Sequence, residues 1–153
     1  MTQDLKINPA FEKLIPSLTE AEFKILEENV IKSACRDPIV VWNGYIIDGH
    51  HRYKICKKHN LSFKTVEEKI DSEPQVKMWM IDNQFGRRDV PIFVKIELVL
   101  KFEDFEKEVA QERMKSGKAD PVQHVAQGSV RDRLGKKIGV SGEQVRRVKK
   151  ILL

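Results

Sequence analysis

The sequence predicts an α+β fold, in which a small mixed sheet packs with helices and an all-α region follows. Two short apolar runs, at residues 39–42 and 45–47, flank Asn43-Gly44, a strong signal for a two-residue hairpin. Apolar residues recur at helical spacing on both sides of this hairpin, and beyond residue 89 the periodic stretches are all helical. We therefore assign residues 1–88 to a first domain and residues 89–153 to a helical region.

The composition is that of a globular protein without a membrane partner. At 153 residues and 41% apolar content, the chain is long enough to build a packed core. Its longest apolar run falls far short of a membrane span, and its polar start, residues 1–9, lacks an apolar signal region. Cys35 and Cys56 have no C-x-x-C spacing and are interpreted as small core side chains, so a cytoplasmic location is expected.

The first helix is predicted to begin at Thr19. The Thr19 hydroxyl can cap the helix while Glu22 closes a capping box, and apolar residues continue one helical face to about Ser33. After the hairpin, a second helix is expected to run to about His59, where Asn60 suits a left-handed stop.

A third strand and two more helices are predicted next. Residues 64–70 are expected to form the strand, and Ser72 begins a helix with Gln75 at the capping-box position. A long helix then covers about 89–114, and residues 115–128, which are low in bulky side chains, are expected to form a linker or mobile loop. The core positions expected in the long helix are Phe93, Ile96, Val99 and Leu100.

The C-terminal part has the spacing of a helix-turn-helix at residues 130–152. Gly139 can supply the unusual dihedral angles of the turn, and Ser141 with Gln144 forms a capping box for the second helix. The small Gly135 lets the two helices approach each other. The positions expected to face inward on the second helix are Val145, Val148 and Ile151 or Leu152.

All of the excess positive charge lies in the last 23 residues. The chain contains 28 Lys and Arg against 23 Asp and Glu, and residues 131–153 hold eight of the former and two of the latter, which leaves 20 and 21 elsewhere. Polyanion binding therefore belongs to the C-terminal helices, with a merely solvated basic helix as the alternative. Gln and Arg can read base edges, while Lys mostly holds phosphates. The residues expected to contact double-stranded DNA are Ser141, Glu143, Gln144, Arg146, Arg147, Lys149 and Lys150.

A second candidate site lies where the strand of residues 45–47 ends and a helical pattern begins. The segment Asp48-Gly49-His50-His51-Arg52 offers a glycine at which a ligand can approach the backbone, the unpaired N–H groups of a helix start, two imidazoles and a guanidinium. Such a set forms a compact anion receptor. Phosphate is the expected anion, because Arg52 can grip its oxygens with two donors. The alternative is a surface turn whose histidines cap the helix.

A further polar segment could complete this site. Asp82-Asn83 and Arg87-Arg88 lie between two apolar helices, where an inert connection would not need an asparagine and paired arginines. By itself the segment is interpreted as a capped helix end. Beside the first turn, Asn83, Arg87 and Arg88 could supply the second half of a triphosphate clamp. Asp48 or Asp82 could place a magnesium ion, or could equally orient the histidines.

These motifs resemble those of the ParB/sulfiredoxin-like superfamily, and more narrowly of ParB-type nucleotide-binding domains followed by a helix-turn-helix. The resemblance covers about residues 6–152. Asp48-Gly49-His50-His51-Arg52-Tyr53 occupies the place of the family's G-E-R-R-x-R phosphate motif. The segments that resemble its opening strand, its Q-P-I-x-V strand and its E-N-x-x-R-x-D-L motif are Lys6-Ile7-Asn8-Pro9, Arg36-Asp37-Pro38-Ile39-Val40-Val41, and Asp82-Asn83 with Arg87-Arg88-Asp89-Val90.

The resemblance implies a nucleotide-responsive DNA-binding protein, active in plasmid or chromosome partition or in transcriptional regulation. Because ParB proteins bind CTP with a magnesium ion, the expected ligand is a nucleoside triphosphate, with CTP favoured and ATP as the alternative. A slow CTPase-like activity is the corresponding enzymatic expectation. His50 and His51 stand where ParB has Glu and Arg, so the preferred base and hydrolysis stay open. A homodimer is expected, since one helix-turn-helix alone binds DNA weakly.

The main alternative is a small-molecule kinase. Asp-Gly-His-His-Arg is also similar to the motif of free serine kinases of this fold, which use ATP or ADP, and in which a glutamate of an early loop acts as the base. Glu12 is the candidate for that base here. Sulfiredoxins have Gly-Cys-His-Arg at this turn, and His50 replaces their reacting cysteine, which argues against that activity. A turn that binds no nucleotide is the remaining alternative.

Overall fold

A computed structural model describes residues 3–87, 89–117 and 129–153. It confirms the α+β class, with one mixed three-stranded sheet and ten elements in the described residues. Packing divides the chain into two compact units, Met1–Asp71 and Ser72–Leu153, while the domain boundary predicted at residue 88 stays a prediction. In chain order the elements are α1 (Pro9–Glu12), α2 (Glu20–Ser33), β1 (Ile39–Trp42), β2 (Tyr45–Asp48), α3 (His50–Lys58), β3 (Thr65–Glu67), α4 (Glu73–Phe85), α5 (Ile92–Lys115), α6 (Val130–Ile138) and α7 (Gly142–Leu152).

Helix α2 begins with the capping box predicted from its sequence. The Glu22 N–H donates to Thr19 Oγ1 at 3.2 Å, and Glu22 Oε2 accepts from the Thr19 N–H at 2.8 Å. These two bonds satisfy donors that the first turn of a helix otherwise leaves unpaired. The helix ends at Ala34, whose φ of 61° breaks the helical path.

The sheet has the order β2-β1-β3. Asn43 and Gly44, at φ values of 49° and 80°, join β1 to its antiparallel partner β2, as the hairpin signal predicted. Strand β3 pairs with β1 in parallel and is shorter than the predicted span of 64–70. In place of the expected opening strand, Lys6 forms a single bridge to Tyr45.

The core of the first unit lies between the sheet, α2 and α3. Ile39, Ile46 and Ile55 are fully buried there, together with the thiols of Cys35 and Cys56, which are free. The cysteines are therefore small core side chains, as expected. Burying each large aliphatic side chain contributes about 1.5–3 kcal/mol, so this cluster is what holds the α2–α3 layer on the sheet.

Helix α1 was not predicted from the sequence. Asn8 caps it, and the fully buried Phe11 packs edge-on against Trp42 and Tyr45, with ring centroids 6.3 and 6.5 Å apart. At four residues, α1 is too short to produce a periodic apolar pattern, so its position depends on the single Phe11 anchor.

In the second unit, α5 packs against α4, α6 and α7. Ile96 and Val99 of α5 are buried as predicted, whereas Phe93 is 43% exposed, so its assignment to the core is wrong. The capping box predicted at Ser72 is also absent, since the Ser72 side chain makes no capping bond.

Most of the residues that the structure does not describe belong to the second unit, namely residue 88 and residues 118–128. The predicted linker at residues 115–128 falls largely among them, with His124, while Lys115 ends α5. Among the described helices, α5 is the longest at 24 residues, and none of them is long and apolar enough to cross a membrane.

Candidate functional site

The turn between β2 and α3 is built around Gly49. This residue is the N-cap of α3 and adopts the left-handed conformation, with φ 92° and ψ 24°. A Cβ at Gly49 would lie 2.9 Å from Ile39 Cδ1 and 3.0 Å from Arg52 Nη2, so no larger residue fits without movement. Because a helix starts here, the N–H groups of its first turn have no acceptor within the helix, and the positive end of the helix dipole lies at this turn.

His50, the first residue of α3, is 2% exposed. Its Nδ1 and Nε2 atoms are both buried and have no hydrogen-bond partner among the described residues. Burial lowers the pKa of His50 from 6.5 to about 4, so the ring is neutral at neutral pH and offers one donor and one acceptor. Leaving a buried polar group unpaired costs about 1–3 kcal/mol, which is rarely tolerated without a reason such as ligand binding.

Arg52 is bound to protein oxygens in this turn. Its Nη2 donates to the Pro38 carbonyl and to Asp48 Oδ2, both at 3.2 Å, and the Arg52 side chain is 17% exposed. Part of the guanidinium fork predicted to grip phosphate is therefore committed to fixing the turn. The neighbouring His51 is half-buried and packs edge-on against Phe23 of α2, with ring centroids 6.3 Å apart.

Glu12, the predicted base of the kinase alternative, lies beside this turn. A hydrogen bond from Lys54 of α3 lowers the pKa of Glu12, and protonation of His50 or His51 would act in the same direction. No motif of the sequence indicates a role for Lys54. Its position four residues after His50, on the same face of α3, is the signal that could have found it.

The second half of the predicted clamp belongs to the second unit. Asn83, on α4, and Arg87, just after it, are exposed. Arg87 Nη1 donates weakly to Gln84 Oε1 at 3.4 Å. Arg88 lies outside the described residues. The completion of a nucleotide pocket by Asn83, Arg87 and Arg88 therefore stays a prediction.

Both carboxylates predicted to place magnesium have cationic partners. Asp48 is paired with Arg52, and Asp82 is paired with Lys137. Across residues 3–87, 89–117 and 129–153, no group of three or more His, Cys, Asp or Glu could hold a metal ion. Magnesium usually binds through one or two carboxylates and the phosphates of its nucleotide, so a metal that arrives with a ligand stays a prediction.

Helices α6 and α7 are joined by a tight turn. Gly139 ends α6 in the left-handed conformation, with φ 80°, and the Val140 N–H donates to the Gly135 carbonyl at 2.8 Å. A Cβ at Gly135 would lie only 2.8 Å from the Val140 oxygen, so the small residue permits this close approach as predicted. Ser141 and Gln144 form the predicted capping box, with bonds of 2.8 and 3.2 Å.

Helix α7 has a buried side and a basic exposed side. Val145 is fully buried and Val148 half-buried, but Ile151 is 77% exposed and Leu152 46%, so the inward orientation expected for the last turn is wrong. Helical spacing indicates a shared face, but it does not indicate how far the packing partner extends. Lys149 is half-buried, and its charge acts on Glu103 of α5. The predicted DNA-contacting residues that are exposed are Ser141, Glu143, Gln144, Arg146, Arg147 and Lys150.

Two ion pairs that the sequence did not suggest fasten α6 to α5. Arg131 donates to both carboxylate oxygens of Glu103, at 2.8 and 3.1 Å, and Arg133 Nη2 donates to Glu106 Oε1 at 2.9 Å. Burial acts to raise the pKa of Glu103, but the Arg131 hydrogen bonds and the nearby positive charges together outweigh it, and the pKa lies below its usual value. The partners of the first pair are 28 residues apart, so no local pattern connects them.

The chain has the fold of ParB N-domains, as the sequence motifs indicated. Two structures of a pNOB8-like ParB N-domain superpose with TM-scores of 0.64 and 0.62, at 18% and 17% identity, over 94% of this chain. This chain spans 63% and 59% of the length of those two chains.

A third structure is that of the C-terminally truncated chromosome-partitioning protein ParB from Caulobacter crescentus, complexed to the centromeric parS site. It superposes with a TM-score of 0.52 at 15% identity, over 97% of this chain and 67% of that one. At such identities the likeness shows the fold. No family model and no curated protein sequence matches the chain.

Proposed function

We propose that this chain is a nucleotide-responsive DNA-binding protein of ParB-like type, which acts as a homodimer in partition or in transcriptional regulation. Three findings support this proposal. The fold is that of ParB N-domains, and one protein of this fold is complexed to a centromeric DNA site. Helix α7 presents a basic exposed face. The turn at Gly49 carries a buried imidazole without a partner.

The observation that carries the DNA-binding half is the division of α7 into two sides. Val145 and Gly142 are buried, whereas Arg146 and Arg147 are 52% and 75% exposed. Both guanidiniums lie 3.6 Å from Glu143, an exposed contact that is weak enough to be exchanged for phosphates or base edges. Because the α6–α7 turn and the capping box fix the start of α7, the basic side has a defined direction. We infer that α6 and α7 act as a helix-turn-helix with α7 as the recognition helix.

The test is the salt dependence of DNA binding. Each phosphate contact that is lost lowers the slope of log affinity against log salt by about 0.9. The double variant Arg146→Ala with Arg147→Ala should therefore bind a fluorescent duplex more weakly at every sequence, with a slope up to about 1.8 shallower. The matched control is Lys101→Ala with Lys115→Ala, which removes two exposed cations from α5. If both double variants change the slope equally, α7 is not the DNA-binding helix.

The nucleotide half of the proposal rests on the Gly49 turn. The N–H groups of the α3 start have no acceptor within the helix and could donate to phosphate oxygens, and His50 and His51 would bind the phosphates from α3. Arg52 would stabilise the conformation of the turn and not contact the phosphates, since its Nη2 already donates to Asp48 and to the Pro38 carbonyl. CTP is favoured through the ParB resemblance, with ATP second. Bound magnesium would neutralise phosphate charge, and either Asp48 or Asp82 is the carboxylate that would help to hold it.

Calorimetry with CTP, ATP and GTP tests this half by itself. The proposal expects heat from at least one nucleotide and a loss of most of that heat in His50→Leu. Absence of heat from all three would reduce the Gly49 turn to a structural feature, while leaving the DNA-binding half intact.

A kinase that phosphorylates a free amino-acid hydroxyl is the second candidate, because Glu12 lies beside His50 and His51. In that reaction Glu12 would accept the hydroxyl proton while the oxygen attacks the terminal phosphorus of ATP or ADP, and the bond from that phosphorus to the bridging oxygen breaks to release ADP or AMP. Incubation with serine and nucleotide would yield phosphoserine, and Glu12→Gln would abolish it. If the protein binds DNA and produces no phosphoserine, the kinase is excluded and only the first proposal remains.

A further inference from the structure

The second unit contains a groove whose lining includes no residue of α7. It is formed by α4, α5 and α6 and has a volume of about 380 Å³. Sites for small molecules are typically clefts of roughly 300–1,000 Å³, so this groove has the size of a small ligand.

The floor of the groove is apolar and aromatic. Met78 and Trp79 of α4, Phe102 of α5 and Leu134 of α6 line it, and of these only Leu134 is buried in full. Two half-exposed rings offer faces and edges on which a planar aromatic molecule can pack. The Met78 sulfur adds a polarisable contact that suits an aromatic ring.

The charged residues that line the groove are two cations and one anion. Arg133 and Lys137 project from α6, and Asp82 projects from α4, so the lining carries a net charge of +1. Lys137 is paired with Asp82, and Arg133 with Glu106, which is not part of the lining. All four side chains are 34–50% exposed, and ion pairs of this exposure are weak, so both cations can be shared with an incoming anion.

We propose that this groove binds a small planar aromatic molecule that carries one negative charge. The ring lies against Trp79 and Phe102, and the anionic group lies between Arg133 and Lys137. A neutral aromatic molecule would contact only the apolar floor, and an aliphatic anion would contact only Arg133 and Lys137. The groove therefore favours a molecule that has both an aromatic ring and a negative charge.

Two probes with the same ring system separate these contributions. 8-Anilinonaphthalene-1-sulfonate is the aromatic anion, and N-phenyl-1-naphthylamine is its neutral counterpart. In the Trp42→Phe background, Trp79 is the single tryptophan, and energy transfer from Trp79 reports binding in this groove. Arg133→Gln and Lys137→Gln should each weaken binding of the anionic probe by about 1.5- to 5-fold, as expected for one exposed charge pair, without changing the affinity for the neutral probe.

The controls address charge and folding. Lys101→Gln removes an exposed cation of α5 that is not part of the groove lining and should change neither affinity. Lys137→Arg keeps the charge and should retain the binding that Lys137→Gln loses. Thermal unfolding verifies that each variant is folded. The proposal is overturned by an absence of energy transfer from Trp79, by an equal loss for both probes, or by a loss in Lys101→Gln as large as that in Lys137→Gln.

Discussion

Gly49 and Gly44 are two glycines with similar backbone angles and different surroundings. Their φ values are 92° and 80°, but a Cβ would meet Ile39 and Arg52 at Gly49 and nothing within 4 Å at Gly44. Alanine in a left-handed conformation costs about 1–2 kcal/mol. Gly44→Ala should therefore lower the free energy of unfolding by about that amount, and Gly49→Ala by at least about 1 kcal/mol more because of the contact. Urea denaturation of both variants measures the difference. Equal losses of unfolding free energy would mean that Gly49 is not packed closely against Ile39 and Arg52.

His50 makes the stability of the chain depend on pH. Its pKa is about 4 in the folded state against 6.5 when it is free, so between these values the unfolded chain takes up a proton that the folded chain refuses. The free energy of unfolding should thus be fully retained above pH 6.5 and should fall by about 3 kcal/mol as the pH decreases to about 4.

The variant His50→Leu isolates this contribution. It removes the titrating ring and the unpaired nitrogen atoms together, so its stability near neutral pH should equal or exceed that of the parent chain. Urea midpoints measured between about pH 7.5 and about pH 4.5 should show a gap that widens in favour of the variant as the pH falls. Parallel curves for the two proteins would show that His50 is not held neutral by burial.

At the scale of elements, the attachment of α6 to α5 depends on two ion pairs that differ in burial. The side chains of Arg131 and Glu103 are 21% and 16% exposed and share two hydrogen bonds, whereas those of Arg133 and Glu106 are 44% and 34% exposed. Arg131→Ala should cost about 1.5–3 kcal/mol of unfolding free energy, as expected for hydrogen bonds between charged groups. Arg133→Ala should cost about 1 kcal/mol or less.

A double-mutant cycle tests this contrast. The coupling energy of Arg131 with Glu103, measured by urea denaturation of single and double alanine variants, should exceed that of Arg133 with Glu106. If the two couplings are equal, the half-buried pair is no more than a surface contact.

For the whole molecule, the elements with strong local signals were predicted with the correct type. The capping box of α2, the Asn43-Gly44 hairpin and the turn at Gly139 each depend on hydrogen bonds or dihedral angles between residues close in sequence. The fold and its ParB N-domain class followed from these elements and from the short motifs around Gly49 and Asp82.

The features that were missed depend on contacts distant in sequence. Helix α1 is positioned by Phe11 against the sheet, and the Arg131–Glu103 pair joins residues that no periodicity connects. Burial also changed the interpretation of single side chains. The residue type of Arg52 led to the prediction that it binds phosphate, but its bond to the Pro38 carbonyl appears only after the strand and helix are brought together.

A nucleotide-responsive DNA-binding protein must show coupling between its two ligands. If nucleotide changes the affinity for DNA by a given factor, DNA changes the affinity for nucleotide by the same factor, and typical couplings are about 5- to 150-fold. We expect the dissociation constant of a duplex, measured by anisotropy with and without saturating CTP, to change by a factor in this range. Calorimetric titration of CTP with and without that duplex should return the same factor.

His50→Leu distinguishes a failed coupling from a failed site, because His50 lies in the first unit and the basic face of α7 lies in the second. Without nucleotide, the variant should bind DNA as the parent chain does, since its α7 is unchanged. With nucleotide, its DNA affinity should stay constant while that of the parent shifts. If the parent chain binds both ligands with a coupling factor of one, both sites are present but neither affects the other. The reason is that a ligand with equal affinity for two states cannot shift their populations.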